Sequence, residues 1–143
     1  MFDPTYAMYA QIPRTIGTSV LRGTRDLVTG WCGRGPVLRA REGTDVYSPC
    51  SPNNPTGTVD PIELWSRFSM WRRAMADGFV VDEAYGQFAS TSVVDCWPKT
   101  DLSWSVELSP RRGPWPGPLG ILLAPTWCVA ELEKVALPYH LDP

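Results

Sequence analysis

The eleven positions from Leu108 to Pro118 hold four prolines, two arginines and two glycines, and no buried strand can be built from them. Proline cannot donate to a sheet ladder and glycine offers no side chain to pack, so any sheet must be completed on either side of this stretch. The bias is chain-wide: 15 of the 143 residues are proline, about twice the usual share of roughly 5%. Of the 13 basic residues, only Lys99 and Lys134 are lysines. The remainder, 43% apolar and 20% charged, is the balance of a chain that buries a core, and its length suits one domain. Disordered, collagen-like and solenoid classes are excluded.

A net charge of -2 gives no basic field to attract a phosphate backbone, so nucleic acid is not an expected partner. No apolar run reaches membrane-spanning length; Leu119 to Ala124 is only a strand's worth. The opening Met-Phe-Asp-Pro-Thr-Tyr has no charged segment followed by an apolar one, the mark of a secretory signal, so a cytoplasmic chain is expected. Cys32, Cys50, Cys96 and Cys128 form no C-x-x-C pair and are expected to be reduced, partly buried thiols. No metal site is expected, because His140 is the single histidine and has no cysteine or carboxylate cluster near it.

Residues 1–20 read as a helix followed by a short strand over Ile16 to Val20. Residues 21–44 mix five arginines with glycines at no sustained period and read as loop or poorly ordered chain. Asp45 to Ser48 can form a short strand, and Pro49 to Gly57 is dense in turn residues. Asp60-Pro61 reads as an N-cap followed by proline at the first helical position. Ile62, Leu64, Trp65, Phe68, Met70 and Trp71 then continue a helix to Ala76, closed by Asp77-Gly78. Phe79-Val80-Val81 ends at Asp82 in the pattern of a strand buried on both faces of a parallel sheet. Strand, helix and strand make a crossover unit, so the class is α/β. Beyond Ser90 the pattern degrades, Leu119 to Ala124 resumes as a strand, and Val129 to Leu137 reads as a helix stopped by Pro138.

Three segments stand out in order: Pro4-Thr5-Tyr6-Ala7-Met8-Tyr9, Ser51-Pro52-Asn53-Asn54-Pro55-Thr56-Gly57, and Val80-Val81-Asp82-Glu83-Ala84-Tyr85. Together they resemble the large domain of pyridoxal-phosphate-dependent aminotransferases of fold type I, most closely the histidinol-phosphate aminotransferases. Glu131 to Tyr139 resembles the segment that leaves that domain. The resemblance spans residues 1–142 and is weak over 21–44 and 103–118. It implies a partial large domain: an incomplete, mostly parallel sheet with flanking helices.

The resemblance also implies roles. Pyridoxal phosphate withdraws electrons from a substrate carbanion best when its ring nitrogen is protonated, and a carboxylate against that nitrogen keeps the proton there. Asp82 matches that carboxylate, at the end of a strand where open α/β sheets place ligands. Tyr85 and Asn54 match the groups that hydrogen-bond the ring oxygen, and Tyr6 matches the aromatic residue stacked on the ring, with Tyr9 as its near neighbour. Glu83, Thr56 and Thr5 are expected to support the local backbone. By family, the reaction moves an amino group between histidinol phosphate and 2-oxoglutarate in histidine biosynthesis, in a homodimer acting on small molecules.

The pattern breaks at the lysine that carries the cofactor as a Schiff base and moves the proton. A gapless alignment on Leu119 to Ala124 puts Pro110 at that lysine and Pro118 at a phosphate-binding arginine. Neither Lys99 nor Lys134 occupies the motif position. The codons of Ser103 to Gly113, read one nucleotide upstream, can spell a family-like V-V-R-R-T-L-S-K-A-W. The hidden lysine straddles Pro110 and Arg111, which reads as a frame-shifted catalytic segment. The chain is therefore expected to be catalytically deficient. Two other readings stay open: a non-enzymatic remnant or interaction protein, and another fold type I aminotransferase or amino-acid phosphate decarboxylase.

Overall fold

The computed structural model describes residues 1–33, 45–72, 78–96, 106–108 and 121–136. Two strand-helix-strand units set the architecture. In the first, β1 (Phe2–Asp3) leads through α1 (Met8–Thr15) to β2 (Gly23–Thr24), which pairs parallel to β1. In the second, β3 (Val46–Tyr47) leads through α2 (Ile62–Arg72) to β4 (Gly78–Phe79), again a parallel pair. β5 (Val81–Asp82) continues β4: Val80 N–H donates to the Tyr47 carbonyl at 2.7 Å, and Asp82 N–H to the Pro49 carbonyl at 2.9 Å. On its other side β5 pairs parallel to β6 (Val106–Leu108), which pairs antiparallel to β7 (Ile121–Leu122). α3 (Thr126–Glu133) follows β7. The class is mixed α/β, as the alternation of patterns anticipates.

The core forms where the second unit's helix meets its strands. Phe2, Cys32, Leu64, Trp65, Phe79, Val81 and Val93 are buried together, with Tyr47, Ile62 and Val94 packed against them. Leu64 and Trp65 of α2 are buried, and the Trp65 ring meets Phe79 edge-on at 6.1 Å. Such a pair contributes about 1 kcal/mol beyond its area burial. Val81 is 0% exposed, as a central-strand valine should be. Val93 reaches the core from a 3-10 turn over Val93–Cys96, a segment whose sequence shows no clear period.

Several local expectations need correction. Ile16 to Val20 forms no strand. Gly17, at φ 77°, takes the left-handed conformation that ends α1, with its N–H on the Arg14 carbonyl and Thr18 N–H on the Pro13 carbonyl. Residues 16–19 are then exposed, so no burial rewards pairing there, and the strand forms later at Gly23. Within 21–33, part of the stretch read as loop or poorly ordered chain, lie the strand β2 and a short bridged turn. Asp26 accepts the N–H groups of Val28 and Thr29 at 3.0 and 2.8 Å, and an antiparallel bridge joins Arg25 to Cys32. Gly30 sits at φ 72°, and a Cβ there would come within 2.9 Å of Thr58 Oγ1.

α3 begins at Thr126, three residues ahead of its expected start, because the Pro125 carbonyl accepts from both Cys128 and Val129 N–H. β7 is confined to Ile121–Leu122, and Val106–Leu108 is strand inside the stretch read as non-matching. Residues 34–44, 73–77, 97–105, 109–120 and 137–143 lie outside the described residues, and with them Pro110, Pro118, Lys99 and His140. Cys32, Cys50 and Cys128 are free and buried. Among the described residues no helix is long and apolar enough to cross a membrane.

Candidate functional site

Asp82 is the last residue of β5 and its backbone is held twice by the segment Pro49–Ser51. Its N–H donates to the Pro49 carbonyl and its carbonyl accepts from Ser51 N–H, both at 2.9 Å. The side chain therefore emerges at the C-terminal end of a strand with little freedom. Oδ1 accepts the Ala84 N–H at 2.7 Å, and Oδ2 accepts from the phenol of Tyr9. Burial, then the bonds to Asp82 and Cys50, push the Tyr9 hydroxyl well above the usual tyrosine range. Tyr9 thus stays a neutral phenol at neutral pH, with its one hydroxyl proton donated to Asp82.

Tyr6 lies just ahead of α1, and its carbonyl accepts the Tyr9 N–H at 3.2 Å. Its ring meets Tyr9 edge-on at 5.9 Å and remains 47% exposed. So the ring at position 6 is open, whereas the one at position 9 is engaged with the carboxylate. The sequence reading names Tyr9 only as a neighbour; the i, i+3 spacing on a helix is the signal that puts both on one face.

The loop 51–58 is fixed by Asn53 rather than Asn54. The Asn53 side chain is buried, and its Nδ2 donates to the Pro4 carbonyl at 3.0 Å and to Thr56 Oγ1 at 2.8 Å. It joins the segment that carries Tyr6 to the one that carries Asn54. Asn53 Oδ1 is buried without a hydrogen-bond partner among the described residues. Asn54 itself is half-buried beside this anchor. Thr56 supports the loop as expected, donating to Thr58 Oγ1 at 3.0 Å.

After Asp82, Glu83 turns inward. Its carboxylate accepts Ser92 Oγ–H at 2.6 Å and Val93 N–H at 2.8 Å, and burial pushes its pKa above the usual glutamate value. This clamps the turn that carries Tyr85, which is half-buried and precedes a 3-10 turn over Gly86–Phe88. The structure therefore brings Asp82 and Tyr9 into direct contact and ties the segments of Tyr6 and Asn54 together.

A further group lies behind the loop. Arg25 and Asp60 form an ion pair at 3.2 Å with side chains 2% and 0% exposed. Asp60 also accepts the Cys32 N–H at 2.8 Å. The carboxylate expected to cap α2 is thus committed to Arg25 and Cys32. Nothing in the sequence marks Arg25 among the other arginines of its glycine-rich stretch.

Pyridoxal phosphate asks a protein for a carboxylate at the ring nitrogen, an aromatic face, donors at the ring oxygen and an amine at the aldehyde. The first requirement fits, since each Asp82 oxygen carries one donor and keeps lone-pair capacity for another. The open Tyr6 ring fits the second. The amine does not: Lys134 is the only lysine among the described residues, and it is 64% exposed on the surface, ion-paired to Glu131. Among those residues no cluster of three or more metal-ligating side chains occurs.

No protein-family model matches the chain. Curated relatives do. It is 31% identical over 146 residues to a histidinol-phosphate aminotransferase of Paenarthrobacter aurescens, covering 99% of this chain and 39% of that protein. A Streptomyces avermitilis protein of the same name is 33% identical over 150 residues, with the same coverage. One from Desulfitobacterium hafniense reaches 40% over 98 residues, covering 64% of the chain. The chain spans about 39% of the length of the first two relatives and is homologous to that part of them.

Proposed function

We propose that this chain, a homologue of part of the histidinol-phosphate aminotransferases, keeps the ring-reading side of a pyridoxal-phosphate pocket within part of a fold type I large domain, and does not itself transfer amino groups. The observation that carries this reading is the Asp82 carboxylate at the end of β5, fixed by the Tyr9 phenol and the Ala84 N–H. When bound, the cofactor supplies an electron sink for a substrate carbanion. Asp82 holds a proton on the ring nitrogen, Tyr9 orients Asp82, Tyr6 stacks on the ring, and Asn54 and Tyr85 donate to the ring oxygen. Inactivity follows from Pro110 standing where the family has its lysine, since proline has no amine to offer.

The amino donor and 2-oxo acid of the relatives' reaction are small molecules, and histidinol phosphate and 2-oxoglutarate are the pair proposed for the complete enzyme, as is its homodimeric, cytoplasmic setting. The test uses pyridoxine 5′-phosphate, which has the ring and phosphate but no aldehyde. Calorimetric titration into the full chain is expected to show binding that Asp82→Asn weakens by about tenfold or more, equivalent to the loss of one charge-assisted hydrogen bond. Absence of binding to the unaltered chain, or equal binding by the variant, overturns the reading.

A further inference from the structure

We propose that Arg25 is a positioning residue for the Tyr9–Asp82 pair, acting through the main-chain carbonyl of Cys50. The two terminal nitrogens of its guanidinium do different things. Nη1 pairs with Asp60 and donates to the Gly30 carbonyl at 3.0 Å, whereas Nη2 donates to the Cys50 carbonyl at 2.7 Å. Cys50 stands opposite Asp82 in a parallel bridge. Its neighbours Pro49 and Ser51 make the two backbone bonds that hold Asp82. Its thiol donates to the Pro52 carbonyl at 3.4 Å. Ser51 Oγ accepts the Asp60 N–H at 2.9 Å, so the ion pair and the Asp82 partner strand are tied together twice.

A planar fork with two donors is what this arrangement uses. A lysine at position 25 keeps the charge opposite Asp60 but has a single nitrogen, so it satisfies the counter-ion and releases the Cys50 carbonyl. Arg25→Lys therefore separates the ion pair's part in the fold from the positioning of Cys50. Burial first, and then Asp82 and Cys50, raise the Tyr9 hydroxyl, and both of these groups lie on the segments that Arg25 fixes.

The link from Arg25 to Tyr9 is independent of the proposed function; the link onward to ring binding rests on it. The experiment follows the 13Cζ resonance of Tyr9 in the full chain, assigned by its loss in Tyr9→Phe. It is recorded from about pH 7 to 11, where free tyrosines ionise. The unaltered chain is expected to show no Tyr9 titration over this range. Arg25→Lys, shown to be folded by its amide spectrum, is expected to bring Tyr9 into the range and to weaken pyridoxine 5′-phosphate binding about tenfold. A folded Arg25→Lys chain with Tyr9 still silent overturns the proposal. So does failure of both Arg25→Lys and Arg25→Met to fold, since Arg25 then has no separable positioning role. If the unaltered chain does not bind pyridoxine 5′-phosphate, the proposed function falls while the Tyr9 titration still decides Arg25.

Discussion

Tyr9 and Asp82 are 73 residues apart in sequence and share a hydrogen bond in which the phenol donates to Oδ2 of the carboxylate. That contact joins the two strand-helix-strand units, because Tyr9 belongs to α1 of the first and Asp82 to β5, which continues β4 of the second. Tyr9→Phe keeps the ring and removes the donor. The expected cost is about 1–3 kcal/mol, the range for a partly buried bond to a charged group, read as a lowered urea midpoint.

The Arg25–Asp60 pair is buried, so removing one member leaves the other buried without its counter-ion. Asp60→Asn is expected to destabilise the chain by about 3–5 kcal/mol. The exposed pair between Arg22 and Asp3, at 3.3 Å, is the control. Asp3→Asn is expected to cost about 0–1 kcal/mol. Equal losses in paired urea titrations contradict the burial argument.

Trp65 fills the contact between α2 and Phe79. Trp65→Ala is expected to cost about 3–5 kcal/mol through lost burial and the cavity left behind, measured by the same denaturation.

Glu83 sets a pH dependence of defined sign. Burial raises its folded pKa above the ordinary value of 4.5, so the folded state favours the protonated form. Its contribution to stability is present below 4.5 and is lost as pH rises through the raised folded value. Asp26 acts in the opposite sense. The hydroxyl of Thr29 and the N–H groups of Thr29 and Val28 lower its pKa from 3.8, so its contribution holds above 3.8 and disappears as pH falls through the lowered value. Urea midpoints across the acid range are expected to show Glu83→Gln flattening the upper slope and Asp26→Asn the lower one.

Much of this arrangement is legible in local pattern. The Asp45 to Ser48 strand, the turn-rich loop, the start of α2 and the buried strand ending at Asp82 each have a short-range cause in turn chemistry or periodicity. What escapes is long-range. Arg25 matters only because Asp60 and the Cys50 carbonyl converge on it from residues 35 and 25 positions away. Tyr9 differs from Tyr6 only in which of them faces Asp82. Asn53 and Asn54 are chemically identical, and the choice between anchor and open position is made by Pro4, far off in the chain. The strand at Gly23 is invisible because glycine and threonine carry no apolar pattern, and pairing with Phe2 and Asp3 creates it.

The proposed function requires a chain that keeps the residues reading a cofactor ring and lacks the amine that would bind it covalently. The direct measurement is borohydride reduction of the full chain after incubation with pyridoxal phosphate, followed by intact mass and peptide mapping. The predicted result is cofactor that is released on denaturation, with no stoichiometric lysine adduct. A stoichiometric adduct on Lys99 or Lys134 contradicts the account.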